Sequence, residues 1–194
     1  RALAADLLLS GGEPVSGAVA LGNARLSAAD GDGLVIEGSA PSLAIGDWLA
    51  FVARMGGGAA AATSTDFSLS RAIAGVTSMG ERVQRINVSA ARMDVGGGLL
   101  LDDAALRFSH DAAGWLLRID STQLRGQALL PEGYQERGDK PLVVQLDSVN
   151  LAPAAAVRLG SGPAMLPSAL PRMAVALNSV RVGQDDYGSW SFEV

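Results

Sequence analysis

One short pattern constrains the fold of this chain more than any other feature: apolar-x-apolar-x-x-apolar-x-apolar, strict alternation interrupted by one residue too many. Five copies are legible. They are Val19, Leu21, Ala24, Leu26; Ile86, Val88, Ala91, Met93; Leu117, Ile119, Thr122, Leu124; Val144, Leu146, Val149, Leu151; and Val175, Leu177, Val180, Val182. Successive side chains of a β-strand point to opposite faces, so an uncompensated extra residue would turn the second apolar pair away from the first. A β-bulge absorbs that residue and keeps all four side chains on one side. The middle pairs Asp120-Ser121, Asp147-Ser148 and Asn178-Ser179 suit a bulge or a brief turn. Each copy therefore reads as a bent strand with one apolar face.

The last four copies start 31, 27 and 31 residues apart, at Ile86, Leu117, Val144 and Val175. That is the length of a two-stranded unit with its turns, and it implies growth by addition of strands to one continuous sheet. The expected fold is all-β with one short helix: an elongated, curled antiparallel sheet forming a groove or open half-barrel. A closed β-sandwich is the alternative, since periodicity alone does not say whether the apolar face meets another sheet. Physics alone favours the sandwich, because monomers rarely expose large contiguous apolar patches.

The rest of the chain reads as a single β-rich segment over 1–194. A short helix is expected over 46–55, where Asp47 caps the start, Trp48, Phe51, Val52 and Met55 share one face, and Gly56, Gly57 and Gly58 end it. The following GGGAAAATST, 56–65, has no periodicity and reads as a loop. A second loop is expected over 152–171, where Pro153, Pro163, Pro167 and Pro171 forbid a central strand; an ordered crossover is the other reading. Between them, 81–151 reads as a meander of four strands, the third beginning near the turn at 111–114.

Composition removes several functions. Fifteen Lys and Arg against 20 Asp and Glu give a net charge of -5, with no footprint for a nucleic-acid backbone. With no Cys, disulfides, thiolate metal sites and cysteine nucleophiles are excluded. The one histidine, His110, sits beside Asp111 in an expected hairpin turn and reads as a solvated residue. Asp102-Asp103 and Asp185-Asp186 read as solubilising turn charges, because adjacent strand residues cannot face one substrate. Asp30-Gly31-Asp32-Gly33 lacks the later ligands of a calcium loop and reads as a hairpin turn. No enzyme, cofactor or metal site is expected. The chain begins at Arg1 with no basic leader ahead of it and reads as a piece of a longer protein.

Three co-linear segments carry a family resemblance. GLVIEGSAPSLAIGDWLAF (33–51) resembles the strand, Gly, leucine-rich turn and Trp helix of YhdP-type proteins of the AsmA-like superfamily. VSGAVALGNARLSA (15–28) is similar to the strand unit preceding that helix, and LPRMAVALNSVRVGQDDYGSWSFEV (170–194) to a Pro-led strand, a V-G-x-x-x-Y-G turn and a final W-x-F strand. The Gly114-Trp115 turn adds a weaker match in the middle. The Gly/Ala-rich 56–62 and the Pro-rich crossover depart from the family pattern.

The resemblance implies a periplasmic portion of a Gram-negative envelope protein, anchored in the inner membrane through regions outside this segment. Such proteins carry phospholipid acyl chains between inner and outer membranes along an apolar β-groove. The groove lining it implies here is Val19, Leu21, Ile86, Val88, Met93, Leu117, Ile119, Leu124, Val144, Leu146, Val149, Val175, Leu177 and Val180. Expected partners are a phospholipid or other acyl-chain lipid and neighbouring segments of the same long chain. The alternative is a structural or interaction β-domain of the cell envelope with a closed core and no ligand.

Overall fold

The computed structural model of the protein describes residues 3–10, 13–26, 33–45, 83–95, 99–134, 140–160 and 172–194. Among these residues there are ten strands: β1 (Leu3–Ser10), β2 (Glu13–Leu21), β3 (Leu34–Ala44), β4 (Val83–Asp94), β5 (Leu100–Asp111), β6 (Gly114–Asp120), β7 (Leu124–Pro131), β8 (Leu142–Leu151), β9 (Met173–Val182) and β10 (Asp185–Glu193). Among the described residues one helix, α1 (Pro153–Gly160), lies between β8 and β9. The strands form a single sheet in sequence order from β1 to β10, and the sheet is not closed.

The chain is all-β as expected, but the sheet is mixed rather than antiparallel. Pairings β2/β3, β3/β4 and β8/β9 are parallel and the other six are antiparallel. A parallel neighbour requires the chain to return to the end from which it started, which takes a crossover rather than a tight turn. Three connecting stretches supply those returns: 22–33 separates β2 from β3, 45–82 separates β3 from β4, and 152–172 separates β8 from β9. The Pro-rich region is thus the crossover of the two readings, and its start is helical, not a loop. Pro153 occupies the first helical position, where its missing N–H costs nothing, and Ala152 accepts from the N–H groups of Ala155 and Ala156. The helix expected over 46–55, the loop over 56–65 and the Asp30 turn lie outside the described residues.

All described strands belong to this sheet and make their substantial contacts with sheet neighbours, so the closed sandwich is not formed among them. The central meander has five strands, β4 to β8, where four were expected. The difference arises at Ser121, whose N–H and hydroxyl both reach the Leu124 carbonyl while its oxygen accepts from the Leu124 N–H. This completes a reversal, so the third repeat copy is a hairpin between β6 and β7 rather than one bent strand.

Register is the organising feature. Residue by residue, the pairings join Ala5, Val19, Ile36, Ile86, Phe108, Leu117, Ala128, Val144, Val175 and Phe192 into one row across all ten strands. A second row joins Leu3, Leu21, Gly38, Val88, Leu106, Ile119, Gly126, Leu146, Leu177 and Trp190. Burying an Ile or Phe in such a row is worth roughly 1.5–3 kcal/mol, and cross-strand contact with a neighbour of like kind adds to it.

The second row contains two glycines because backbone takes the place of side chains there. Gly38 has φ 136°, and a Cβ on it would overlap the backbone of Leu21; a Cβ on Gly126 would overlap the carbonyl oxygen of Gln145. Gly38→Ala should therefore lower stability by about 3 kcal/mol, read as a shift in the denaturant midpoint. An unchanged midpoint would show that the parallel β2/β3 contact is looser than described.

Candidate functional site

The apolar face runs across all ten described strands, so its accessibility sets what the site can do. On β3 to β5 it is shut off from water: Ile36 is 2% exposed, Val88 1%, and Met93 and Leu101 fully buried. Ile86, Ala90, Ala104 and Phe108 complete that sealed region. From β6 onward the same rows become half-buried, and they end at Trp190 and Phe192, which are 57% and 48% exposed. The face is dry over β3 to β5 and open toward β10, and on the far side of the dry strands it is exposed again at β1, where Leu3 is 69% exposed.

The expected lining residues divide along this gradient. Ile86, Val88 and Met93 belong to the buried core. Val19, Leu21, Leu117, Ile119, Leu124, Val144 and Val175 are partly buried and packed against it. Leu146, Val149, Leu177 and Val180 are half-buried outside that cluster, in the accessible part of the face. All fourteen thus lie in described strands, but they are not one groove wall of uniform exposure. Trp190 and Phe192 extend both rows and were not among the expected lining residues. Their two-residue spacing was the available signal, since it continues the alternation of the rows they join.

Two stacked bulges keep the accessible part on one side. On β8 the register against β7 shifts between Arg125 and Gly126, leaving one extra β8 residue between Leu146 and Val149. The parallel β9 matches it, with Leu146 beside Leu177 and Val149 beside Val180. Polar residues occupy the bend, and Asn178 Nδ2 donates to Asp147 Oδ1 across it at 3.4 Å. Here the two repeat copies carry the bend that the pattern predicted, although they lie directly side by side rather than one strand apart.

Three other copies differ. On β4 the buried residue after Val88 is Ala90, not Ala91, so the extra residue falls one pair later. The paired strand β5 breaks alternation at the same level, from Ala104 to Leu101, where Asp103 takes φ 51°. Thr122 belongs to the β6/β7 turn. Ala24 and Leu26 follow the end of β2, where the Ala24 N–H donates to the Leu21 carbonyl in a turn.

The acidic pairs and the histidine lie off this face's accessible part. Asp102 and Asp103 are exposed within β5 rather than in a turn, and Gln123 bonds Asp102 through both its N–H and its carboxylate. Asp185 and Asp186 open β10, and Asp186 pairs with Arg181 at 3.4 Å. His110 ends β5 instead of floating in a turn: its ring stacks on Trp115 at 4.0 Å, and its Nε2 lies 3.0 Å from Glu132 Oε2. Trp115 stacks in turn on Phe108 at 4.8 Å, carrying the apolar surface to the β5/β6 turn. No helix among the described residues is long and apolar enough to cross a membrane.

Comparison with protein-family models, with curated proteins and with solved structures returned no match.

The gradient predicts opposite outcomes for one substitution at its two ends. Val88→Asp places an unpaired charge in a dry site and should abolish cooperative folding, whereas Leu177→Asp should fold with a loss of about 1–2 kcal/mol. Circular dichroism and urea unfolding of both proteins check this. Equal loss of folding would mean that β9 is as sealed as β4.

Proposed function

We propose that this chain is a non-catalytic segment of a lipid-carrying bridge of the Gram-negative envelope, holding acyl chains on the accessible part of its apolar face. The observation that carries the reading is the pair of uninterrupted apolar rows that leave the dry core and run, half-exposed, through Val144, Val175 and Phe192 and through Leu146, Leu177 and Trp190. A surface of this kind binds by area: about 0.8 kcal/mol per methylene removed from water, with no head-group chemistry required. Aliphatic walls of near-constant composition offer no strong local minimum, so a bound chain can slide along the strands. Placement in the periplasm, anchorage in the inner membrane by other regions and kinship to YhdP-type proteins rest on the three co-linear sequence segments.

One observation favours a second reading, an envelope interaction domain. β10 is exposed along its whole length and, among the described strands, forms an edge of the sheet with Tyr187, Trp190 and Phe192, a surface suited to adding a partner strand.

Organic extraction and mass spectrometry of the purified protein should find phospholipid, and delipidated protein should take up a fluorescent fatty-acyl lipid. Leu177→Asp, folded as above, and Leu146→Asp, at the neighbouring half-buried position and expected to fold likewise, should each reduce uptake about tenfold, in keeping with the loss of one or two buried methylenes and the cost of a carboxylate beside them. A lipid-free preparation that also refuses the fluorescent lipid would sink the lipid reading and leave the edge-docking one.

A further inference from the structure

The face opposite the apolar rows carries its own register, and it brings two arginines together. Arg107 on β5 pairs directly with Arg118 on β6, flanked along the same row by Asn87 on one side and by Gln127 and Gln145 on the other. Directly opposed residues of an antiparallel pair have Cβ atoms about 5 Å apart, and like charges at that separation destabilise the pairing. Among the described residues neither guanidinium has a carboxylate partner, although acids are close by. Asp120 is taken by Arg125 at 3.0 Å, and Asp147 accepts from Asn178.

Both arginines line a depression of about 350 Å³ in this face, together with Gln127 and Gln145. Gln127 donates its side-chain N–H to Gln145 Oε1 at 3.0 Å, which fixes the two amides and leaves the Gln145 amide nitrogen to donate elsewhere. The depression therefore holds an amide donor and two guanidinium forks without a carboxylate partner among the described residues, with three cations against two carboxylates on its walls.

We propose that this depression is an oxyanion site for a phosphate-bearing ligand, gripped between Arg107 and Arg118. A tetrahedral dianion accepts from both forks at once and removes the repulsion that the register imposes; a halide offers no such bidentate geometry. A free phosphate group and a lipid head-group phosphate share this chemistry. The site faces away from the apolar rows, so it stands or falls independently of acyl-chain binding.

Thermal unfolding in sodium phosphate at pH 8 against sodium chloride of equal ionic strength tests it. Wild-type protein should melt higher in phosphate, whereas Arg107→Gln and Arg118→Gln should melt no lower than wild type in chloride and bind phosphate about tenfold more weakly by calorimetry. Arg118→Glu, which gives Arg107 a facing carboxylate, should melt above wild type in chloride and ignore phosphate. Flotation with phosphatidylcholine vesicles, with and without phosphatidic acid, separates the sources. Retention only by phosphatidic acid vesicles, lost in both Gln variants, assigns a lipid phosphate; a response to inorganic phosphate alone assigns a free one. No arginine-dependent response to either anion overturns the proposal, as does a melting point for Arg118→Gln below wild type in chloride.

Discussion

Cross-strand register bears the weight of this structure, because a strand that slips by one residue sends its whole apolar set to the other face. Ten strands of differing direction and length must all present their apolar residues at the same two levels. Antiparallel hairpins fix that level through their turns, as Asp111 does when its carboxylate accepts from the Ala113 N–H. The parallel pairs have no turn to fix them, and there the match of like residues takes over: Ile36 beside Ile86, Val144 beside Val175, Leu146 beside Leu177. The bulges belong to the same constraint. An extra residue in β8 is tolerated because β9 carries one at the same level.

What the sequence made legible follows from what periodicity encodes. Side-chain alternation reports which residues share a face, so the copies on β8 and β9 were read correctly down to their bend. The copies start at a near-constant spacing because β4, β6, β8 and β9 run in the same direction: the first two intervals are an antiparallel pair each, and the third is a crossover. Direction itself leaves no mark on alternation, which is why the parallel pairs were not foreseen. Ala90 and Ala91 are chemically identical, so the pattern had no means of choosing which one faces inward. Ser121 was ambiguous for another reason, since the same hydroxyl chemistry serves a bulge and a full reversal.

Exposure is a property of the assembled sheet and is the least legible of all. Val88 and Leu177 occupy equivalent positions in their repeat copies and the same row, yet one is dry and the other half-exposed. The Arg107–Arg118 pair was hidden for a simpler reason, being eleven residues apart in the chain. It becomes visible once the turn at Ala112-Ala113 is fixed, because residues equidistant from that turn must face one another.

Strict sequence order in an open sheet has a mechanical side. Among the described residues each inner strand makes its substantial strand contacts with its two sheet neighbours, as in a stack of repeats, so cohesion between strands is largely a sum of successive nearest-neighbour terms. Those terms are unequal: β3–β5 are backed by a dry core, whereas the outer strands β1 and β10 each have one sheet neighbour and no buried side chain among the described residues. Loss of structure would therefore travel as a peel, beginning at the outer strands β1 and β10 and moving inward, instead of as one concerted collapse. Amide protons along β9 and β10 would exchange long before those of β4, and a pull on the last strand would unzip the sheet where a pull along the core strands would have to shear it.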